Sequence, residues 1–174
     1  MDYLKLKYKL SEDNSILVNL KNRYNSIVPN KYRLKAIPYE ELFGIEPELF
    51  YFWLVYLFQD DMDFSNYGIK WQLDHIRPVS VCNYSLTSDL KDTFSFYNIM
   101  PLYSQENILK SNKRDFELEN RREKLVKLFY SDIDNWYKNK SPDMPRLLNH
   151  IDNIPLSKLQ GPHSLIVDFC NSQR

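Results

Sequence analysis

A continuous apolar run, LFYFWLVYLF at positions 49–58, limits the folds open to this chain. It covers about half of the ~20 residues that a membrane-spanning helix needs, so we expect a buried segment of a folded domain. Pro47 suits the first turn of a helix, and we interpret the run as a buried helix. A helix that is apolar on every side must be covered by other elements. The aromatic run is therefore predicted to form the core.

The composition indicates a single soluble domain. The chain has 174 residues, of which 43% are hydrophobic and 15% aromatic, enough to build one core. Its three glycines form no GxGxxG string, which argues against a glycine-rich phosphate loop. The 23 basic and 23 acidic residues cancel, so net charge gives no support for nucleic-acid binding.

Cysteine usage and the N-terminal sequence indicate an intracellular protein. The two cysteines, Cys82 and Cys170, lie far apart without a CxxC pair. We therefore expect reduced surroundings and no structural zinc. The opening MDYLKLKYKLSEDNS lacks the apolar stretch of a signal peptide.

Helices are predicted toward both ends of the chain. NSILVNLKNRYNSIV has an apolar stripe at helical spacing, and PYEELFG suits a short helix between Pro38 and Gly44. The segment 104–137 is predicted to be helical, in one piece or broken near Asn112, with Ser104 as its cap. The stripe of the first helix is Ile16, Leu20, Tyr24 and Ile27, and that of the last is Leu118, Leu125, Phe129, Ile133 and Trp136.

Two short extended segments are predicted between these helices. Residues 69–77 alternate like a strand with Trp71 and Leu73 on the buried face, and NIMPLY forms a second extended piece. The connection SVCNYSLTSDLKDTFSFY is predicted to be a long loop with one helical turn at SDLKDTF. We therefore expect a mostly helical α+β fold.

The chain is predicted to be one domain, 1–174, in three parts. Residues 1–68 form a helical flank, and residues 69–115 form the core of two strands and a helix. Residues 116–174 form a helical, proline-containing flank, which ends in a loosely structured tail with a short element near HSLIVDF.

An acid and an imidazole, Asp74 and His75, end the first strand, and Asn107 lies in the first turn of the helix after the second. Two antiparallel strands folded against that helix would bring Asp74 and Asn107 together. Their oxygens are hard donors suited to Mg²⁺. A neutral imidazole accepts a proton near neutral pH, so His75 suits a general base. The ordinary alternative is that His75 is a structural residue that Asp74 merely orients.

The segments LDHIRPVS and FYNIMPLYSQENILKSNK resemble the motif of HNH endonucleases, the ββα-metal nucleases. The resemblance covers about residues 40–115, including a turn MDFSNYG like that of a subgroup in phages and large DNA viruses. It implies that Asp74 and Asn107 are metal ligands and His75 the general base. Asn98 matches the middle asparagine, which braces the histidine loop in that family. The implied cofactor is Mg²⁺ or another divalent cation such as Mn²⁺.

The resemblance implies DNA as the partner, with neither a membrane nor an organic cofactor. We expect Lys110, Lys113 and Arg114 to contact DNA phosphates, helped by the helix N-terminus. Arg77 suits a phosphate clamp and a surface ion pair equally well. Basic residues farther along, Arg121, Arg122, Lys124 and Lys127, are interpreted as a solvated helix face.

The expected activity is hydrolysis of DNA phosphodiester bonds by a metal-dependent endonuclease, leaving 5′-phosphate and 3′-hydroxyl ends. Two alternatives stay open, a nucleic-acid-binding module that no longer cuts and a protein-interaction module on the same scaffold. Target specificity and oligomeric state are left open by the sequence.

Overall fold

The computed structural model of the chain describes residues 15–34, 39–59 and 61–139. Its main elements, in chain order, are α1 (Ser15–Ile27), α2 (Tyr39–Phe43), α3 (Pro47–Leu57), β1 (Trp71–His75), α4 (Thr87–Phe94), β2 (Ile99–Tyr103), α5 (Ser104–Lys110) and α6 (Phe116–Asn139). The predicted helix start at Pro38 and the element near HSLIVDF lie outside the described residues. The described part is mostly helical with one small sheet, as an α+β fold requires.

Helix α3 is the centre of the core, as its apolar run predicts. Every side chain from Phe50 to Phe58 is buried. The indole of Trp53 donates a hydrogen bond from Nε1 to the carbonyl oxygen of Ile99 at 2.8 Å, which fixes α3 against β2. The same indole packs edge-on against Phe129 of α6, with ring centroids 5.3 Å apart. The aromatic helix thus holds the sheet and the long C-terminal helix in place.

The flanking helices bury the predicted stripes. In α6 all five predicted core residues are buried, which confirms that stripe. In α1, Ile16, Leu20 and Tyr24 are buried, whereas Ile27 is half-buried. Of the two alternatives for residues 104–137, one helix or a helix broken near Asn112, the structure has the broken form, because α5 ends at Lys110 and α6 begins at Phe116. Among the described residues, no helix is long and apolar enough to cross a bilayer.

The strands form an antiparallel pair in which Trp71 faces Tyr103 and His75 faces Ile99. Trp71 and Leu73 are buried, which confirms the predicted register. Helix α5 follows β2 without an intervening loop. Residues 69–115 therefore contain two antiparallel strands followed by a helix.

The helical turn predicted at SDLKDTF is confirmed, and it is longer than expected: α4 spans eight residues of the connection and buries Leu90, Thr93 and Phe94. The predicted cap of α5 was wrong. Ser104 does not cap α5; it is the first residue of the helix, and its hydroxyl donates to the carbonyl oxygen of Ile69 at 3.1 Å. The serine ties α5 to the residues before β1.

Candidate active site

One face of α5 lies along β1. The side-chain amide of Asn107 donates from Nδ2 to Oε1 of Gln72 at 2.9 Å. One helical turn later, Nζ of Lys110 lies 2.6 Å from Oδ2 of Asp74. Residues three apart on a helix share a face, as do residues two apart on a strand. Asp74 and Asn107 therefore lie on facing surfaces of β1 and α5.

The carboxylate of Asp74 is buried, with 7% of the residue exposed. The ion pair with Lys110 lacks hydrogen-bond geometry, and Oδ2 makes no hydrogen bond to the described residues. Nζ of Lys110 instead donates to the carbonyl oxygen of His75 at 2.8 Å. A buried carboxylate needs a compensating positive charge. In this structure the Lys110 ammonium supplies it.

The imidazole of His75 is enclosed, with 2% of the residue exposed. Among the described residues, neither ring nitrogen has a hydrogen-bond partner, and the ring packs edge-on against Phe94 at 5.4 Å between centroids. Burial lowers the pKa of His75 to about 3, and the charges of Arg23 and Lys110 add to the effect. The imidazole is therefore neutral at pH 7. Because it follows Asp74 directly in the strand, it leaves β1 on the opposite side.

The donor set around Asp74 fits a magnesium ion better than a zinc ion. No group of three or more His, Cys, Asp or Glu side chains that could hold a metal occurs among residues 15–34, 39–59 and 61–139. Mg²⁺ is commonly held by one or two protein oxygens and keeps several waters. Asp74 offers a buried oxygen that faces the Lys110 ammonium, and the amide of Asn107 faces the same strand. These two side chains could hold such an ion.

Asn98 is buried with none of its surface exposed, as predicted. Its Oδ1 accepts a hydrogen bond from the backbone nitrogen of Arg77 at 2.8 Å. Its Nδ2 donates to the carbonyl oxygens of Arg77 at 3.1 Å and Thr93 at 2.8 Å. The expectation that Asn98 bonds the backbone after His75 is thus confirmed, whereas its effect on catalysis stays a prediction.

Of the two roles expected for Arg77, a phosphate clamp and an ion pair, the structure shows an ion pair. Its Nη1 donates to Oδ1 of Asp89 at 2.6 Å and to Oγ1 of Thr93 at 3.1 Å. The hydrogen bond from Arg77 holds the pKa of the Asp89 carboxyl below its usual value. The guanidinium therefore fastens α4 to the end of β1, and a phosphate would have to compete with Asp89 for it.

The three other residues predicted to contact DNA differ in whether their charges are already paired within the chain. Lys113 is exposed in the turn after α5. Arg114 forms two hydrogen bonds with the carboxylate of Glu119, at 2.9 and 2.5 Å, and lies over the ring of Phe116. Lys110 is occupied by Asp74. Of the three, Lys113 presents the most accessible charge.

Arg122 was wrongly predicted to lie on a solvated helix face. Its Nη1 donates to Oδ1 of Asn98 at 3.0 Å, and its guanidinium pairs with Asp92 at 3.4 Å. A signal for this was present in the sequence, because position 122 falls four residues after Leu118 and three before Leu125, within the apolar stripe of α6. A charged residue in such a stripe points inward and needs a buried partner.

Gln72 and Arg23 were not predicted to belong to the site. Gln72 accepts the hydrogen bond of Asn107 and lies two residues before Asp74 on the same face. Arg23 lies on α1, close enough for its charge to lower the pKa of His75. No spacing within the sequence links α1 to β1, so only the tertiary fold reveals Arg23.

Two viral proteins resemble the chain. Uncharacterized protein L246 of Acanthamoeba polyphaga mimivirus is 30% identical over 135 residues, which are 74% of this chain and 56% of that protein. Uncharacterized protein L426 of the same virus is 28% identical over 93 residues, which are 53% of this chain and 41% of that protein. The chain thus spans about half the length of the curated relatives it matches. No protein-family model matches the chain. No solved structure matches it.

Proposed function

We propose that the chain is a metal-dependent endonuclease of the HNH type that hydrolyses DNA phosphodiester bonds and leaves 5′-phosphate and 3′-hydroxyl ends. The observation that carries the proposal is the apposition of β1 and α5, which places Asp74 and Asn107 on facing surfaces, with His75 next to Asp74 in the strand. The arrangement of two antiparallel strands and a helix is the one that the sequence resemblance implies. The choice of DNA rests on that resemblance, and both relatives, like the subgroup that the chain resembles, are viral.

Asp74 and Asn107 would hold the metal ion. Bound there, Mg²⁺ or Mn²⁺ supplies Lewis-acid polarisation of the scissile phosphate and offsets charge on the leaving 3′-oxygen. An Asp carboxylate with an Asn carbonyl oxygen leaves most coordination positions to water and phosphate, as Mg²⁺ prefers.

His75 would take a proton from the attacking water. The water oxygen forms a bond to phosphorus while the bond from phosphorus to the 3′-oxygen breaks. The neutral state of His75 at pH 7 gives it a free electron pair for this role. Its ring is 2% exposed, so substrate binding has to open a path for water. A phosphate beside the ring would also raise its pKa, because an anion stabilises the imidazolium.

Asn98 would keep His75 in position without touching the reacting atoms. It holds the backbone of Arg77, two residues after His75, from both sides. Arg122 in turn holds Oδ1 of Asn98 and connects it to α6. The histidine end of β1 is thereby fixed to α4 and to the C-terminal helix.

Lys110 would change partners during the reaction. In this structure it balances the buried charge of Asp74. With a divalent cation on Asp74 the ion pair would no longer be required, and Lys110 would be free to contact a DNA phosphate near Lys113. This exchange reconciles the buried ion pair with the expected role of Lys110 at the phosphate backbone.

A second candidate function, a nucleic-acid-binding or protein-interaction module that does not cut, is favoured by one observation. Lys110 neutralises Asp74, and His75 is enclosed, so the site is closed to water and metal in this state. In such a module the pair and the imidazole would serve the fold alone.

Nicking of supercoiled plasmid DNA distinguishes the two functions. With Mg²⁺ the wild-type chain should convert the plasmid to the open circular form, and EDTA should stop the reaction. Asp74→Ala purified in parallel controls for contaminating nucleases and should be inactive. A folded wild-type chain that binds DNA but leaves the plasmid intact with both Mg²⁺ and Mn²⁺ would reject the nuclease and favour the non-cleaving module.

A further inference from the structure

A cavity of about 420 Å³ lies between α1, the turn at Tyr67 and Gly68, and strand β1. It falls in the ~300–1,000 Å³ range of small-molecule sites. The residues that line it are Asn19, Leu20, Arg23, Ser26, Tyr67, Gly68, Gln72 and Leu73. Helix α1 and β1 are thus the two walls of one recess.

The lining combines one cation with uncharged hydrogen-bonding groups. Arg23 is exposed, and it forms no ion pair or hydrogen bond through its guanidinium to the described residues. Asn19 and Gln72 carry amides, and the ring of Tyr67 packs on Trp71 at 4.8 Å between centroids. Amides read the edges of bases, aromatic rings contact their faces, and arginine binds phosphate. The lining therefore suits the phosphate and the base of a nucleotide.

The cavity borders the candidate active site through Gln72. This residue lines the cavity and also accepts the hydrogen bond of Asn107. Arg23 lies on the opposite wall of the same cavity. A phosphate held by Arg23 would therefore lie close to Asn107, a candidate metal ligand.

We propose that this cavity binds a nucleotide of the DNA strand next to the scissile bond, with its phosphate on Arg23 and its base beside Tyr67, Asn19 and Gln72. The inference rests on the proposed function, since it names a substrate subsite of the same centre. It assigns α1, which lies outside the segments that resemble the HNH motif, a direct part in substrate binding.

Binding of a fluorescein-labelled single-stranded DNA 12-mer, measured by anisotropy in EDTA, tests the cavity without metal or cleavage. Arg23→Ala should weaken binding about tenfold, as loss of a charged hydrogen-bond donor to phosphate does. It should also lower the slope of log affinity against log salt by about one. Lys21→Ala removes the same charge from an exposed position of α1 that does not line the cavity, and should change affinity less than about twofold.

Competition identifies the ligand. A deoxynucleoside monophosphate should displace the 12-mer from the wild-type chain at much lower concentration than inorganic phosphate. The difference should shrink in Asn19→Ala, which removes an amide from the wall. Equal competition by phosphate would show an anion site without base recognition and overturn the nucleotide assignment. If Arg23→Ala and Lys21→Ala weakened binding of the 12-mer equally, the proposal that DNA binds in this cavity would be overturned.

The two proposals fail in different ways. If the chain never nicks plasmid DNA but Arg23→Ala loses 12-mer binding, the nuclease is rejected and the nucleotide subsite stands. If the chain nicks plasmid DNA and Arg23→Ala binds and nicks like wild type, the subsite is rejected and the nuclease stands. Arg23 is exposed, so the thermal midpoint of Arg23→Ala should match that of wild type.

Discussion

Asn98 holds the backbone of Arg77 through both of its polar atoms. Oδ1 accepts from the Arg77 nitrogen at 2.8 Å, and Nδ2 donates to the Arg77 carbonyl oxygen at 3.1 Å. These two hydrogen bonds resemble those between paired strands, except that a side chain supplies one partner. They extend the pairing of β1 with β2 beyond His75 and Ile99 and fix the backbone immediately after His75.

Asn98→Ala should lower stability by roughly 1–3 kcal/mol, because it leaves buried backbone groups of Arg77 and Thr93 without partners. If the chain is a nuclease, the rate of cleavage should also fall by up to ~10²-fold, since a displacement of ~1 Å misplaces the base. Metal affinity should change little. Urea denaturation, titration calorimetry and single-turnover cleavage measure the three effects.

A matched control is Asn120→Ala, which removes an exposed asparagine from α6 and should leave all three quantities unchanged. Full cleavage activity in a folded Asn98→Ala variant would refute the positioning role. Loss of metal affinity equal to that of Asp74→Ala would show that Asn98 acts on the ligands and not on His75.

Lys110→Met should raise the affinity for Mg²⁺ or Mn²⁺ by about tenfold or more, because the ammonium of Lys110 competes with a metal ion for Asp74. Without metal the same variant should be less stable by roughly 3–5 kcal/mol, the cost of leaving a buried charge unpaired. Titration calorimetry and chemical denaturation with and without Mg²⁺ measure both effects. Lys113→Met, at an exposed position, is the control, and an unchanged metal affinity in Lys110→Met would contradict the competition.

The buried imidazole should make the chain sensitive to acid. The pKa of His75 is about 3 in the folded chain and near its ordinary value of 6.5 in the unfolded chain, so the unfolded state binds the extra proton between these values. The stability that neutral His75 contributes is complete above pH ~6.5 and is lost progressively as pH falls toward ~3. The positive charges of Arg23 and Lys110 add to the effect.

Denaturation in EDTA at pH 4.5 to 6.5 tests this dependence. The free energy of unfolding of wild type should fall more steeply with decreasing pH than that of His75→Phe, by up to about 1.4 kcal/mol per pH unit. Both proteins keep every other titrating group, so the difference isolates His75. Parallel curves would mean that the imidazole is protonated, or exposed, in the folded chain.

The sequence predicted those parts of the fold that depend on local pattern. The register of β1 follows from the alternation around Trp71 and Leu73, and the burial of α3 follows from its unbroken apolar run. The buried stripe of α6 follows from the helical spacing of its apolar residues. The role of Asn98 came from the resemblance to the HNH motif, and its chemistry agrees, because an amide supplies both donor and acceptor to the backbone.

The parts that the sequence did not predict depend on contacts between distant segments. The ion pair of Lys110 with Asp74 joins residues 36 positions apart and arises only when α5 packs on β1. The enclosure of His75 depends on Phe94 of α4, a contact between residues 19 positions apart that the helical pattern of α4 does not show. Arg23 reaches the site because α1 packs on α4 through Tyr24 and Phe94, whose ring centroids are 5.0 Å apart. No local pattern contains this information.

Single-turnover cleavage and Mg²⁺ binding by His75→Ala and Asp74→Ala, measured beside wild type, test the central claim most directly. The assigned roles predict that His75→Ala loses ~10²–10⁴-fold in rate while it binds Mg²⁺ and DNA nearly as wild type does. Asp74→Ala is predicted to lose Mg²⁺ affinity together with activity. If His75→Ala cleaved at the wild-type rate, or if it lost Mg²⁺ affinity as completely as Asp74→Ala, the assignment of base and ligand would be wrong.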